Sequence, residues 1–317
     1  MNHLNLSITS EPVSWKYFFK YFWKYIAMIA AILLATNTIG AIPFLSALVI
    51  KSLSNPEVYS LLVANPNDYS VLGLSPNILF IVVLFPFIAG LAAFVILIKP
   101  LNKRTLTATI NGTGVIRWNR FFISGLTWFL LSAIYFFAYL KIDPSNFGLN
   151  NMTTSLIILS ILSILLIPLQ AGFEEIIFRG YLMQGFAAVI RNRWFPLVMT
   201  SVLFGLMHAI NPEVKEYGFL TMIPQYIVFG LIFGIITIMD DGIEASMGAH
   251  TANNIFLCIM VTNKSSALQT PALYEQYNIF PWTEFAALVV IGIVFILILK
   301  EIFKWNDFSV LFKKIPV

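Results

Sequence analysis

The chain has 317 residues, of which 59% are hydrophobic and 11% charged, with a formal net charge of +4 and a mean hydropathy of +0.84. Soluble domains carry roughly 25% charged residues, so this composition excludes a water-soluble globule and reads as a polytopic membrane protein. No basic stretch interleaved with aromatics occurs in a solvated segment, which argues against nucleic acid as a partner. The lone cysteine, Cys258, sits in an apolar run and reads as packing rather than as a disulfide or a reactive thiol.

Apolar runs of a length that spans a bilayer, about 17 to 25 residues, lie near 21–50, 77–98, 121–140, 153–173, 195–210, 219–239, 243–262 and 283–303. The first begins without the short apolar core and small-residue cleavage site of a signal peptide and is expected to be retained as an anchor. The expected fold is therefore all-α, a single integral membrane domain over 1–317 with about eight transmembrane helices. Between the fourth and fifth runs, "RGYLMQGFAAVIRNRW" is less hydrophobic; it either continues the fourth helix or lies along the interface, with Pro168, Gly172 and Gly180 permitting bends.

Lysine and arginine bookkeeping sets the expected orientation. Lys16, Lys20 and Lys24 precede the first run, Lys99, Lys103, Arg104, Arg117 and Arg120 lie between the second and third, Arg191 and Arg193 between the fourth and fifth, and Lys300, Lys304, Lys313 and Lys314 follow the last. All fall on one side, so both termini are expected in the cytoplasm. Trp15, Trp23, Trp118, Trp194 and Trp305 then mark cytoplasmic span ends as interfacial anchors.

The few polar residues inside the runs carry the functional signal. "AGFEEIIFRGYLMQ" at 171–184 holds Glu174, Glu175 and Arg179, and each charge costs about 2.5 to 3.5 kcal/mol at hydrocarbon depth unless it faces protein or water and finds a partner. Of three histidines, His3 lies in the N-terminal tail, whereas His208 ends "FGLMH" and His250 opens "HTANN". Taken singly, each has a bland reading: a histidine bonded between helices, or an ion pair locking a bundle. As a set they share a four-residue step, with Glu175 and Arg179, Phe204 and His208, and His250 and Asn254 each on one face of a helix. A hairpin turning at 191 to 194 places Glu174 and His208 each 17 residues from Arg191, at about the same depth. A hydrolase needs a base for water, donors for an oxyanion and a proton route to the leaving group, and these residues supply them.

The three motifs "EEIIFR", "FGLMH" and "HTANN" together resemble the EExxxR, FxxxH and HxxxN motifs of the CPBP (CAAX protease and bacteriocin-processing, Abi) family of intramembrane endopeptidases. The resemblance covers about 153–262; the acidic "MDDGIE" ahead of the third motif is outside the pattern. It implies a peptide hydrolase in a bacterial cytoplasmic membrane, acting on a membrane-associated protein or peptide. It further implies that Glu174 is the general base, that His208 orients the water, that His250 and Asn254 stabilise the oxyanion, and that Glu175 and Arg179 hold the site in shape; the two glutamates' roles are open to reversal. A metal-free site is expected, with no cofactor. Two alternatives stay open: a zinc protease drawing on Glu174 or Glu175, His208 and His250, and a non-catalytic transporter or scaffold with a polar core. The sequence carries no signal of oligomeric state.

Overall fold

The computed structural model describes residues 3–4, 15–65, 68–151 and 154–315, with the side chains of 15–21 outside the description. Trp15, Lys16 and Lys20, expected at the first span's cytoplasmic end, have their side chains outside the described residues. The helices in chain order are α1 (Trp15–Asn37), α2 (Ile42–Ser54), α3 (Val58–Ala64), α4 (Pro76–Asn102), α5 (Leu106–Ile110), α6 (Trp118–Ile142) and α7 (Thr154–Glu175). A π-helical segment Ile176–Leu182 leads from α7 into α8 (Met183–Ile190). There follow α9 (Trp194–Met207), α10 (Pro212–Tyr217), α11 (Phe219–Asp240), α12 (Glu244–Ile259) and α13 (Pro281–Phe303). Short strands β1 (Phe147–Leu149), β2 (Val261–Thr262) and β3 (Tyr274–Gln276) form one small sheet in the order β1-β3-β2, with β1 antiparallel and β2 parallel to β3.

The protein is a polytopic helical membrane bundle. Among the described residues six helical stretches are long and apolar enough to cross a bilayer: Phe22–Ser54, Pro76–Asn102, Trp118–Ile142, Thr154–Ile190, Phe219–Asp240 and Pro281–Phe303. The two remaining runs form shorter helices. α9 has 14 residues and α12 has 16, about 21 and 24 Å long, against about 30 Å of hydrocarbon. Both carry a histidine motif, and both sit against longer helices, α9 on α11 and α12 on α6 and α7.

Two sequence readings change and one left open is decided. The run near 21–50 is not one helix: it breaks at 38–41, where a Cβ on Gly40 would lie 2.7 Å from Pro86 Cα, and α2 buries none of its residues. One helix from Trp15 through Ser54 would be about 60 Å long, while α1 alone is about 35 Å and already sufficient. The stretch 180–194 continues the fourth helix through the π segment to Ile190, where Arg191 adopts a left-handed conformation and ends it. Trp305 is not an exposed anchor; it is buried and donates from Nε1 to Asp240 Oδ1 at 2.8 Å. Trp23, Trp118 and Trp194 are exposed.

Small residues set the helix separations in the core. Gly248 of α12 sits against the Phe121 carbonyl of α6, and a Cβ on Gly230 of α11 would lie 2.7 Å from Ser201 Cα of α9. The acidic "MDDGIE" turn between α11 and α12 ties helix ends together. Arg117 meets Glu244 at 2.6 Å and Asp240 at 3.2 Å, and Arg117 Nη1 donates to the Asp240 carbonyl at 2.7 Å.

The lysine and arginine bias is met by a path that alternates direction through α1, α4, α6, α7–α8, α9, α11, α12 and α13. With Cys258 replaced by serine, single cysteines at 120, 192 and the C-terminus should therefore label from one side of the membrane. Cysteines between 265 and 278 should label from the other. Labelling of 192 and 270 from the same side would refute this path.

Candidate active site

Glu174 and Glu175 are the last two residues of α7, and Arg179 lies in the π segment that follows. All three are buried, Glu175 and Arg179 completely. Arg179 Nη1 donates to Glu175 Oε1 at 2.8 Å and Nη2 donates to the Gly230 carbonyl of α11 at 3.3 Å. The guanidinium also lies over the Phe204 ring, 4.3 Å from its centroid, and near the Phe233 ring at 5.6 Å. A desolvated cation thus has a carboxylate, a carbonyl and two aromatic faces.

His250, six residues into α12 from Glu244, stands between the two glutamates. Its Nδ1 is 2.9 Å from Glu175 Oε1, and its Nε2 is 3.6 Å from Glu174 Oε2. Phe233 stacks on the imidazole, with centroids 5.2 Å apart and planes 24° apart. The Glu175 oxygen is an acceptor only, so Nδ1 carries the proton of that contact.

Glu174 is held from its other side. Gln170, one turn earlier in α7, donates from Nε2 to Glu174 Oε1 at 2.6 Å, and Gln170 Oε1 accepts from Asn254 Nδ2 at 2.9 Å. Asn253 Nδ2 donates to Asn254 Oδ1 at 3.0 Å, and Trp128 Nε1 of α6 donates to Asn253 Oδ1 at 3.2 Å. A directed chain of amides therefore runs from α6 through α12 to one oxygen of Glu174. The other oxygen, Oε2, is buried and has no hydrogen-bond partner among the described residues.

His208 caps the C-terminal end of α9, a helix that stops within the bundle. Its Nδ1 lies 2.7 Å from the Phe204 carbonyl, which fixes a proton there, and its ring stacks on Tyr226 of α11 at 4.1 Å and 16°. No hydrogen bond among the described residues joins His208 to either glutamate; the Phe204 ring, 4.7 Å from His208 and 5.9 Å from His250, lies beside both histidines.

The structure thus bonds Glu175 to Arg179 and His250, and Glu174 through Gln170 to Asn254; the two sets approach at 3.6 Å between His250 Nε2 and Glu174 Oε2, with His208 beside them. Gln170, Tyr226, Phe233 and the Gly230 carbonyl escaped sequence reasoning. Only Gln170 left a trace there: a polar residue four before Glu174, on the same helical face. As to metal, among the described residues no three His, Cys, Asp or Glu side chains form a group able to hold an ion. Glu175 is engaged by Arg179 and His250, and His208 Nδ1 by a carbonyl, which leaves Nε2 as the outward-facing nitrogen of each histidine.

Residues 153–256 match the family model described as type II CAAX prenyl endopeptidase Rce1-like. Over that segment, which spans all three motifs from Glu174 to Asn254, the chain is similar to a family of membrane peptidases. The chain is also 26% identical to the uncharacterized protein YyaK of Bacillus subtilis (strain 168), over 93% of this chain and 94% of that one. No solved structure matches.

Glu175→Gln and Arg179→Ala each leave one partner of a fully buried pair uncompensated, a loss of about 3 to 5 kcal/mol in such settings. Both should lower the unfolding temperature in detergent well below that of the wild type. Glu174→Gln keeps an amide of similar size beside Gln170 and should unfold close to the wild type. Equal stability of all three variants would show that the ion pair is dispensable to the fold.

Proposed function

We propose that the protein is an intramembrane endopeptidase that hydrolyses a peptide bond of a membrane-associated protein or peptide, using a water activated by Glu174. The observation that carries this reading is the asymmetry of the Glu174 carboxylate. One oxygen is fixed by Gln170, while the other is buried, unpartnered and 3.6 Å from His250 Nε2. A carboxylate oxygen withdrawn from bulk solvent and kept clear of donors is suited to accept a proton from water.

In this mechanism His208, whose Nδ1 proton is committed to the Phe204 carbonyl, uses Nε2 to accept from and orient the same water. The water proton passes to Glu174 Oε2 as its oxygen attacks the scissile carbonyl. The oxyanion is met by the Asn254 amide, which has a second N–H beyond the one given to Gln170, and by His250 when its Nε2 carries a proton. The proton held by Glu174 then goes to the leaving amine as the C–N bond breaks. Glu175 and Arg179 do not exchange protons; they fix the imidazole and join α7 to α11.

The reaction as written needs no metal, since every step is carried by side chains already in the network. The substrate is membrane-associated because the residues lie within helices of a bilayer-spanning bundle, and it approaches from the side where both termini lie, the cytoplasm by the lysine and arginine bias.

Comparative proteomics of membranes from cells carrying the wild type or Glu174→Gln should reveal a cleavage product that disappears in the variant. Purified Glu174→Gln should lose turnover on the peptide so identified, by about a hundredfold or more. Full activity of that variant would remove Glu174 as the base. The wild type should keep its activity after exhaustive treatment with a strong chelator that is itself removed before assay. Loss of activity restored by stoichiometric zinc, with about one zinc per chain by elemental analysis, would establish a metalloprotease instead.

A further inference from the structure

His3 is a residue of the N-terminal tail that is nonetheless 1% exposed. Its backbone N–H donates to Asp241 Oδ1 at 2.8 Å in the turn after α11. Its Nε2 is 3.1 Å from the carbonyl oxygen of Arg179, and its Nδ1 is 3.2 Å from Gln184 Nε2. Leu4 beside it is buried in the core cluster with Met183 and Ala187 of α8. The pair His3–Leu4 is thus inserted against the helical segment that carries Arg179.

The Arg179 carbonyl is available because of the π segment. In an α-helix the Met183 N–H would bond the carbonyl of Arg179, four residues earlier; here it bonds that of Phe178, five earlier. The register shift therefore releases the carbonyl of Arg179 itself, and His3 donates to it. We propose that His3 is a positioning residue: docked in its neutral form, it holds the π-helical register of the segment that carries Arg179, and its protonation opens that clasp. The docking stands on geometry alone; its consequence for turnover rests on the peptidase reading above.

The hydrogen-bond inventory fixes the protonation state. Nε2 must carry the proton, since a carbonyl only accepts, and Nδ1 must then accept from the Gln184 amide. That amide group is fully used. Its second N–H goes to the Ala108 carbonyl at 3.1 Å, and its oxygen accepts from Arg104 Nη1. Arg104 is in turn held by the Tyr25 hydroxyl at 2.9 Å. A second proton on His3 would meet the Gln184 N–H head on. Rotating the amide would rescue that contact only by turning its NH2 onto Arg104 and its oxygen toward the Ala108 carbonyl.

The charged groups around His3 are Arg104 from the α4–α5 turn, Asp241 and Glu244 from the α11–α12 turn, and Arg179 of the π segment; Arg117 is bound to Glu244, and Arg193 lies near Asp241. Burial lowers the imidazole below its ordinary 6.5, outweighing the bond to the Arg179 carbonyl and the attraction of Asp241 and Glu244, with Arg104 lowering it further. For a histidine buried neutral, docking is at full strength above the undocked value and weakens as pH falls below it.

The test uses the full chain in detergent micelles with Cys258→Ser and a spin label on Asn2→Cys. The spectrum should be immobile at about pH 7.5 and should gain a mobile fraction at about pH 5. His3→Gln, which keeps a neutral donor, should stay immobile at both values, and His3→Ala should be mobile at both. Amide exchange over 176–184, corrected for intrinsic pH dependence, should rise about tenfold or more wherever the label is mobile. A label unaffected by pH, or released equally from the wild type and His3→Gln, overturns the clasp. Release of the label without faster exchange over 176–184 overturns its role in holding the register. None of these readouts depends on catalysis, so a failure here is separable from a failure of the peptidase reading.

Discussion

The Glu175–Arg179 pair is the constraint around which the rest of the bundle is organised. Both side chains are completely buried, and neither charge is tolerable at hydrocarbon depth without the other. Every neighbouring element is bent to their needs. α11 offers the Gly230 carbonyl to the guanidinium, α9 lays the Phe204 ring beneath it, and α12 brings the His250 Nδ1 to the same Glu175 oxygen that Arg179 occupies. The pairing is not a closed bidentate fork, because Glu175 Oε2 and Arg179 Nε have no partner among the described residues. A pair so expensive and incompletely satisfied contributes less to stability than apolar packing of the same volume would. Its presence is better explained by what it aligns.

That alignment depends on close helix approach, and close approach depends on glycine. Gly230 lets α11 come against Ser201 of α9, and Gly248 lets α12 come against the Phe121 carbonyl of α6. A side chain at either position would push apart the helices bearing His208 and His250. Because α9 stops at Met207, His208 sits half-buried at a helix end. Polar termini at membrane depth are tolerated where they face protein; here His208 closes its own end by bonding Phe204.

The sequence displayed the site more clearly than the frame. Motifs at a four-residue step in otherwise apolar runs are visible because each polar residue there is costly, and five of the six candidates fall into two hydrogen-bonded sets that face each other across His250 and Glu174. Gln170 was not visible, since an uncharged amide in an apolar run has many bland readings and only the placement of Asn254 across from it reveals its purpose. The break after Asn37 has local signals in Asn37, Gly40 and Pro43 that the apolar length of the whole run outweighed; in the fold, Pro86 packs against Gly40, a contact between distant segments. Trp305 read as an anchor because tryptophans at span ends usually are, and only the Asp240 carboxylate accounts for its burial. The role of "MDDGIE" was likewise hidden, because Arg117 lies more than a hundred residues away in sequence.

The two adjacent glutamates show how one helix creates two chemical environments. Successive residues on a helix diverge by about 100°, so Glu174 and Glu175 meet different partners although His250 lies between them and approaches both. Glu175 falls on the side of the π segment and meets a guanidinium, a permanent cation that takes up its Oε1. Glu174 falls on the side of the α-helical turn before it and accepts from the amide of Gln170, a neutral donor to one oxygen. Neutral donation orients a carboxylate without supplying the charge that would make it a weak base. Exchanging the two environments would place the cation beside the oxygen that has to take a proton, and the arrangement seen avoids that conflict by placing the register shift after Glu175 rather than before Glu174.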